Sequence, residues 1–138
     1  MVTQIFVNLA VKDLQKSIQF FTQLGFSFNP QFTDENGTCM IIGDNIFAML
    51  MVENRFKDFT KKHIIDAHTH VEVLNALSVG SREEVDSLVL KALEAGGVEP
   101  VPAQDHGWMY SRDFQDLDGH VWEVFYMDEK AAAEANTK

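Results

Sequence analysis

Residues 5–26, IFVNLAVKDLQKSIQFFTQLGF, decide how the rest of the chain is read. Residues 4–11, QIFVNLAV, are rich in strand formers. Asp13 then opens a stretch in which Leu14, Ile18, Phe21 and Leu24 recur at helical spacing, and Gly25 marks its end. A strand running into an amphipathic helix is therefore predicted. Three shorter strand-type runs follow: FSFNPQF (26–32), TCMIIG (38–43) after the turn signal Glu35-Asn36-Gly37, and IFAMLMV (46–52) after Asp44-Asn45. The order predicted for residues 4–52 is β-α-β-β-β.

The same order returns in residues 70–128. VEVLNALSV (71–79) reads as a strand. Ser81 and Glu84 occupy capping-box positions at the start of SREEVDSLVLKALEAGG, whose Val85, Leu88, Val89 and Leu93 fall at helical spacing before a glycine pair. Strands are expected around VEPVP, GWMYSRDF and HVWEVFYM, the last two joined by a turn at Asp116-Leu117-Asp118-Gly119. Residues 53–69 read as a polar connection with one helical turn, and residues 129–138 as a fraying tail. The fold expected is α+β: two tandem β-α-β-β-β modules in one domain, 1–138, with curved mixed sheets enclosing a cleft. A four-stranded sheet with a single helix leaves one face needing cover, and a concave surface of that kind suits a small molecule.

Composition narrows the function classes. The net charge of −10 opposes nucleic-acid binding, which needs clustered Lys and Arg. The longest apolar runs are far short of the roughly 20 residues a membrane span requires. Cys39 is the only cysteine, which rules out an intramolecular disulfide and a Cys-rich zinc site and suits a reducing, cytoplasmic setting.

The opening IFVNLAVKDLQKSIQFFTQLGF and the closing FQDLDGHVWEVFYMD resemble the vicinal oxygen chelate superfamily, which includes glyoxalase I, extradiol dioxygenases and bleomycin-resistance proteins. More narrowly, FVNLAVKDL and QDHGWMYSRDFQDLDGHVWEV are similar to predicted lactoylglutathione lyases. The resemblance implies a divalent metal (nickel, zinc or iron) held by two inward ligands from each module, and a homodimer. Carried onto this chain, the four ligand positions are Phe6, one of Phe47, Met49 or Met51 in IFAMLMV, Leu74, and Glu123. Only Glu123 is a ligand, and one carboxylate cannot hold a catalytic divalent ion. No cofactor is therefore expected. The alternative is a metal-dependent lyase-like or dioxygenase-like enzyme with a shifted site at His70, Glu72 and Glu123.

The expected ligand surface comprises Phe6, Phe47, Met49 and Leu74 as apolar walls. To these His106 adds a donor or acid-base group, and Trp108, Tyr110 and Arg112 share a strand face that the resemblance puts in the cleft, Arg112 as an anion clamp. His120, alternating against Glu123, should point away from it. Glu123 in an apolar cleft could act as a general base, as counter-charge to a cationic ligand, or as acceptor for a buried donor. The function expected is metal-free binding of a small, partly apolar molecule, with no nucleic-acid or membrane partner.

Overall fold

In the computed structural model, which describes residues 1–136, both principal helices begin at the capping residues their sequences announce. The Asp13 carboxylate accepts from the Lys16 amide at 3.1 Å and starts α1 (Leu14–Gln23), after the strand β1 (Ile5–Val11). Three strands complete the first sheet: β2 (Ser27–Asn29), β3 (Gly37–Gly43) and β4 (Ile46–Val52). Its order is β1-β4-β3-β2, with β1 and β4 parallel and the other pairs antiparallel. A short helix α2 (Glu53–Phe56) and a 3-10 turn (Lys57–Phe59) follow.

The chain divides into two compact units, Met1–Asp66 and one beginning at Ala67. In the second, β5 (Asn75–Ser78) leads to α3 (Arg82–Glu94), where Ser81 Oγ accepts from the Glu84 amide at 3.1 Å and the Glu84 carboxylate accepts from the Gly80 amide at 2.5 Å. Then come β6 (Gln104–Asp105), β7 (Met109–Gln115) and β8 (Val121–Met127). The order β5-β8-β7-β6 repeats the first sheet's arrangement, again with one parallel pair, β5 and β8. Two four-stranded mixed sheets with helices make this an α+β protein, as the sequence predicts.

Strand alternation sorts each sheet into a helix-covered face and an open one. In the first unit Leu9, Val11, Met40, Ala48 and Leu50 are buried with Leu14, Phe20, Phe21 and Leu24 of the α1 region. In the second, Phe114, Trp122 and Val124 are buried with Val85, Val89 and Ala92 of α3, and the Phe114 and Trp122 rings stack at 6.3 Å. The β7–β8 turn is tied to this core. Buried Asp116 accepts from the amides of Asp118 and His120 and from Trp122 Nε1, each at 3.0 Å. Gly119 in that turn has φ +89°, and a Cβ there would stand 2.6 Å from the His68 amide nitrogen, so the position requires glycine twice over.

Four expectations are corrected. In FSFNPQF the strand ends at Asn29, whose side chain accepts from the Gln31 amide at 3.0 Å and turns Pro30–Phe32 into a 3-10 helix. The strand expected from Val71 begins only at Asn75; in the register that pairs Asn75 with Trp122, residues 71–73 fall opposite the β7–β8 turn, ahead of β8. VEPVP contributes a single bridge, Val98 to Gln115, since Pro100 and Pro102 have no N–H to donate. The tail expected to fray forms α4 (Glu129–Asn136), an alanine-rich helix whose first turn is capped by Asp128 accepting from the Ala131 amide at 3.2 Å. Thr137 and Lys138 lie outside the described residues.

Candidate functional site

The open face of the first sheet is apolar. β1 turns Phe6, Asn8 and Ala10 away from the α1 side, in register with Phe47, Met49 and Met51 of β4. The Phe6 and Phe47 rings stack at 4.7 Å with an interplanar angle of 11°. Phe6 is nevertheless 47% exposed, an unusual state for a large aromatic that has a partner. Asn8, the polar residue beside it, spends an amide N–H on the Phe6 carbonyl at 3.2 Å. In the same unit, Val11, Lys12, Val52, Glu53 and Asn54 line a shallow depression of about 260 Å³ that touches none of the expected site residues.

The open face of the second sheet is acidic. Glu123 of β8 is flanked by Ala76 of β5 and, directly opposite in the antiparallel pair, Asp113 of β7. The next pair along the same face is Ser111 with Phe125. Neither carboxylate forms an ion pair or hydrogen bond among the described residues. Burial pushes the Asp113 carboxyl above its ordinary pKa, and the facing Glu123 charge, then Glu99, adds to the shift. Ser111 is buried, 8% exposed, and its hydroxyl has no hydrogen-bond partner among the described residues.

The opposite face of the same two strands is fully paired. Arg112 donates through Nε and Nη2 to both oxygens of Glu99, at 2.9 and 3.0 Å, and through Nη1 to Asp86 of α3 at 3.0 Å. The Tyr110 hydroxyl donates to the same Asp86 oxygen at 2.6 Å. The Arg82 guanidinium lies 4.5 Å over the Tyr110 ring and also pairs with Asp105. The pKa consequences follow the contacts. Tyr110 first and then Arg112 hold Asp86 below the usual carboxylate range, Arg112 does the same to Glu99, and the Asp86 bond raises the Tyr110 phenol.

Tyr110 and Arg112 are thus corrected: they lie on the α3 side, not on the open face with Glu123. The hairpin register explains it, because Arg112 stands opposite Val124 and Tyr110 opposite Tyr126, both on the parity of the buried core. With three of its donors engaged by two carboxylates, Arg112 is a brace and not an anion clamp. Trp108 lies ahead of β7, and its ring stacks with exposed His106 at 6.0 Å. Leu74 precedes β5 and is 55% exposed. His120 belongs to the β7–β8 turn, its amide held by Asp116.

The metal positions implied by the resemblance do not fit a metal. Stacked phenyl rings and methionine thioethers occupy the two positions in the first unit, and a leucine one of the two in the second, which leaves Glu123 without a second ligand of the set. The shifted set does not assemble either. His70 Nδ1 contacts Thr69 Oγ1 at 2.8 Å, His70 and Glu72 are exposed, and no three His, Cys, Asp or Glu side chains group to hold a metal among the described residues.

Asp113 and Ser111 are the residues that sequence reading passed over. The signal was present: a hairpin turning at Asp116–Gly119 places residue 113 against 123 and residue 112 against 124, which identifies the face that accompanies Glu123.

The first part of the chain, residues 3–43, matches the family model for the N-terminal region of bleomycin resistance protein-like proteins. No curated protein matches the chain. Among solved structures, hypothetical protein SA1046 from S. aureus is similar at 34% identity, with 91% of this chain and 95% of that one covered and a TM-score of 0.77. A glyoxalase-related enzyme from Fulvimarina pelagi shares 20% identity over 91% and 88% of the two chains, TM-score 0.76. A glyoxalase/bleomycin resistance protein/dioxygenase family enzyme from Burkholderia phytofirmans PsJN shares 16% over 88% and 96%, TM-score 0.73. With its repeated units, its matched N-terminal segment and these neighbours, the chain belongs to the vicinal oxygen chelate superfamily of glyoxalase, bleomycin resistance and dioxygenase proteins.

Proposed function

We propose that this chain binds a small, partly apolar molecule on its open sheet faces and does so without the metal centre of its family. The observation that carries the reading is the side-chain chemistry at the inherited ligand positions: Phe6 stacked on Phe47, the Met49 thioether, and Leu74 stand where oxygen or nitrogen ligands are implied. In the first unit Phe6, Phe47 and Met49 supply apolar contact; in the second Leu74 does so and Glu123 is a polar anchor, not a metal ligand. Homodimerisation, implied by the resemblance, and a cytoplasmic setting belong to the same proposal. No helix among the described residues is long and apolar enough to cross a membrane.

A lactoylglutathione lyase-like or dioxygenase-like enzyme would need His70 and Glu72 to join Glu123, and these residues form no such group. Two measurements separate the readings. Elemental analysis of the purified protein is expected to find no stoichiometric divalent ion. The hemithioacetal of methylglyoxal and glutathione is expected not to turn over when nickel or zinc is added. A bound ion at one per chain, or metal-dependent turnover, would reverse the conclusion. Light scattering coupled to gel filtration reads the dimer.

A further inference from the structure

We propose that Asn36 is a self-modification site of the chain, at which the Gly37 nitrogen closes a cyclic imide on the Asn36 side chain and the Asp34 carboxylate governs how fast it does so. The turn Glu35-Asn36-Gly37 leads into β3 and takes no part in the binding function proposed above. Of the seven asparagines, only Asn36 precedes a glycine. Glycine has no Cβ, so no side chain hinders the approach of its nitrogen to the side-chain carbonyl of the preceding residue. Asn36 is exposed, and among the described residues no hydrogen bond engages its side-chain amide.

The reaction needs no co-reactant except water. The Gly37 nitrogen loses its proton and bonds to Asn36 Cγ, the bond from Cγ to the side-chain nitrogen breaks, and that nitrogen leaves as ammonia with the proton. Water then opens the imide. Attack at Cγ gives aspartate, and attack at the main-chain carbonyl gives isoaspartate, in which the backbone runs through Cβ.

Asp34 opposes the first event. Its Oδ1 accepts from the Asn36 amide at 2.8 Å and from the Gly37 amide at 3.1 Å. A nitrogen whose N–H is held by a carboxylate must leave that bond before it attacks, and the adjacent negative charge disfavours loss of its proton. The consequence reaches β4. The Asn36 carbonyl accepts from the Val52 amide at 3.0 Å, and Gly37 stands opposite Met51 in the ladder. Isoaspartate turns that carbonyl into a free carboxylate, lengthens the backbone by a carbon, and adds a negative charge beside Asp34 and Glu35 in a chain already at −10.

The test incubates the full chain in mildly alkaline buffer and follows amide-to-acid exchange at each asparagine by peptide mapping with mass spectrometry, electron-transfer fragmentation identifying isoaspartate. Exchange is expected at Asn36, while the equally exposed Asn45 and Asn54, followed by Ile46 and Arg55, remain amides. Asp34→Ala should speed exchange at Asn36 about tenfold, the rate equivalent of one hydrogen bond to a charged group. Asp34→Asn, which keeps an accepting oxygen, should stay closer to the wild type. The wild-type chain unfolded in urea should exchange as fast as Asp34→Ala. An Asn36 that stays an amide in the folded chain while the urea-unfolded chain converts overturns the site. Exchange at Asn45 as fast as at Asn36 makes exposure the cause, and overturns it too. An Asp34→Ala rate equal to wild type removes Asp34 from the proposal.

Discussion

The two faces of the β7–β8 hairpin are built from the same fourteen residues of strand, yet one is electrostatically closed and the other open. On the α3 side, Arg112 sits between Asp86 and Glu99, Tyr110 donates to Asp86, and every named charge has an opposite charge or donor within 3.0 Å. On the other side, Asp113 stands directly opposite Glu123 in the strand register. Residue parity alone separates the two environments. A paired network fixes a helix to its sheet, whereas two carboxylates facing each other repel at some cost in stability.

The comparison can be broken at three points. The largest effect is expected from Phe114→Ala, which removes a fully buried ring stacked on Trp122 and should cost about 3–5 kcal/mol in urea unfolding of the second unit. A loss below about 1 kcal/mol would mean that the α3 side is not the core face. Arg112→Met comes next. It leaves Asp86 and Glu99 without their cation and should cost about 2 kcal/mol, reduced from a fully buried pair because the Asp86 side chain is 46% and the Glu99 side chain 26% exposed.

The pH dependence sharpens this second point. Asp86 and Glu99 have depressed pKa values, so their contribution is present above the ordinary carboxylate range and disappears as pH falls through the folded-state values. The melting temperatures of wild type and Arg112→Met should therefore differ at neutral pH and converge on acidification. A constant gap across that range would assign the loss to the packing of the arginine stem. The smallest effect, with opposite sign, is expected on the open face: Asp113→Asn should stabilise by about 0.5 kcal/mol at neutral pH, because a like-charge pair becomes a charge and an amide. Thermal denaturation reads it, and any destabilisation would show that Asp113 has a partner role in the free fold.

Much of the architecture was legible because its signals are local. Asp13 and Ser81 cap the helices they were expected to cap, Gly25 follows the end of α1, and the Asp116–Gly119 turn forms where the sequence places it. The errors fall where a distant strand decides. Val71 to Val73 has the composition of a strand but falls opposite the β7–β8 turn, and VEPVP has β-branched residues but two prolines that cannot donate. The face of β7 was misread for the same kind of reason. Trp108, Tyr110 and Arg112 look like a ligand-binding set by residue type, and only their register against Trp122, Val124 and Tyr126 reveals that this parity packs toward α3.

The sequence by itself determined the repeated β-α-β-β-β order and the superfamily resemblance, and it puts Phe6, the Phe47 and Met49 strand, and Leu74 at three of the four positions where that resemblance implies metal ligands. The order follows from residue identity and spacing, the ligand positions from the resemblance. The tertiary structure decided which groups meet: that Asp113 stands against Glu123 beside an unbonded Ser111, and that Arg112 is consumed by Asp86 and Glu99. Alternation along a strand leaves two faces formally equivalent, and only the helix that covers one of them breaks the symmetry.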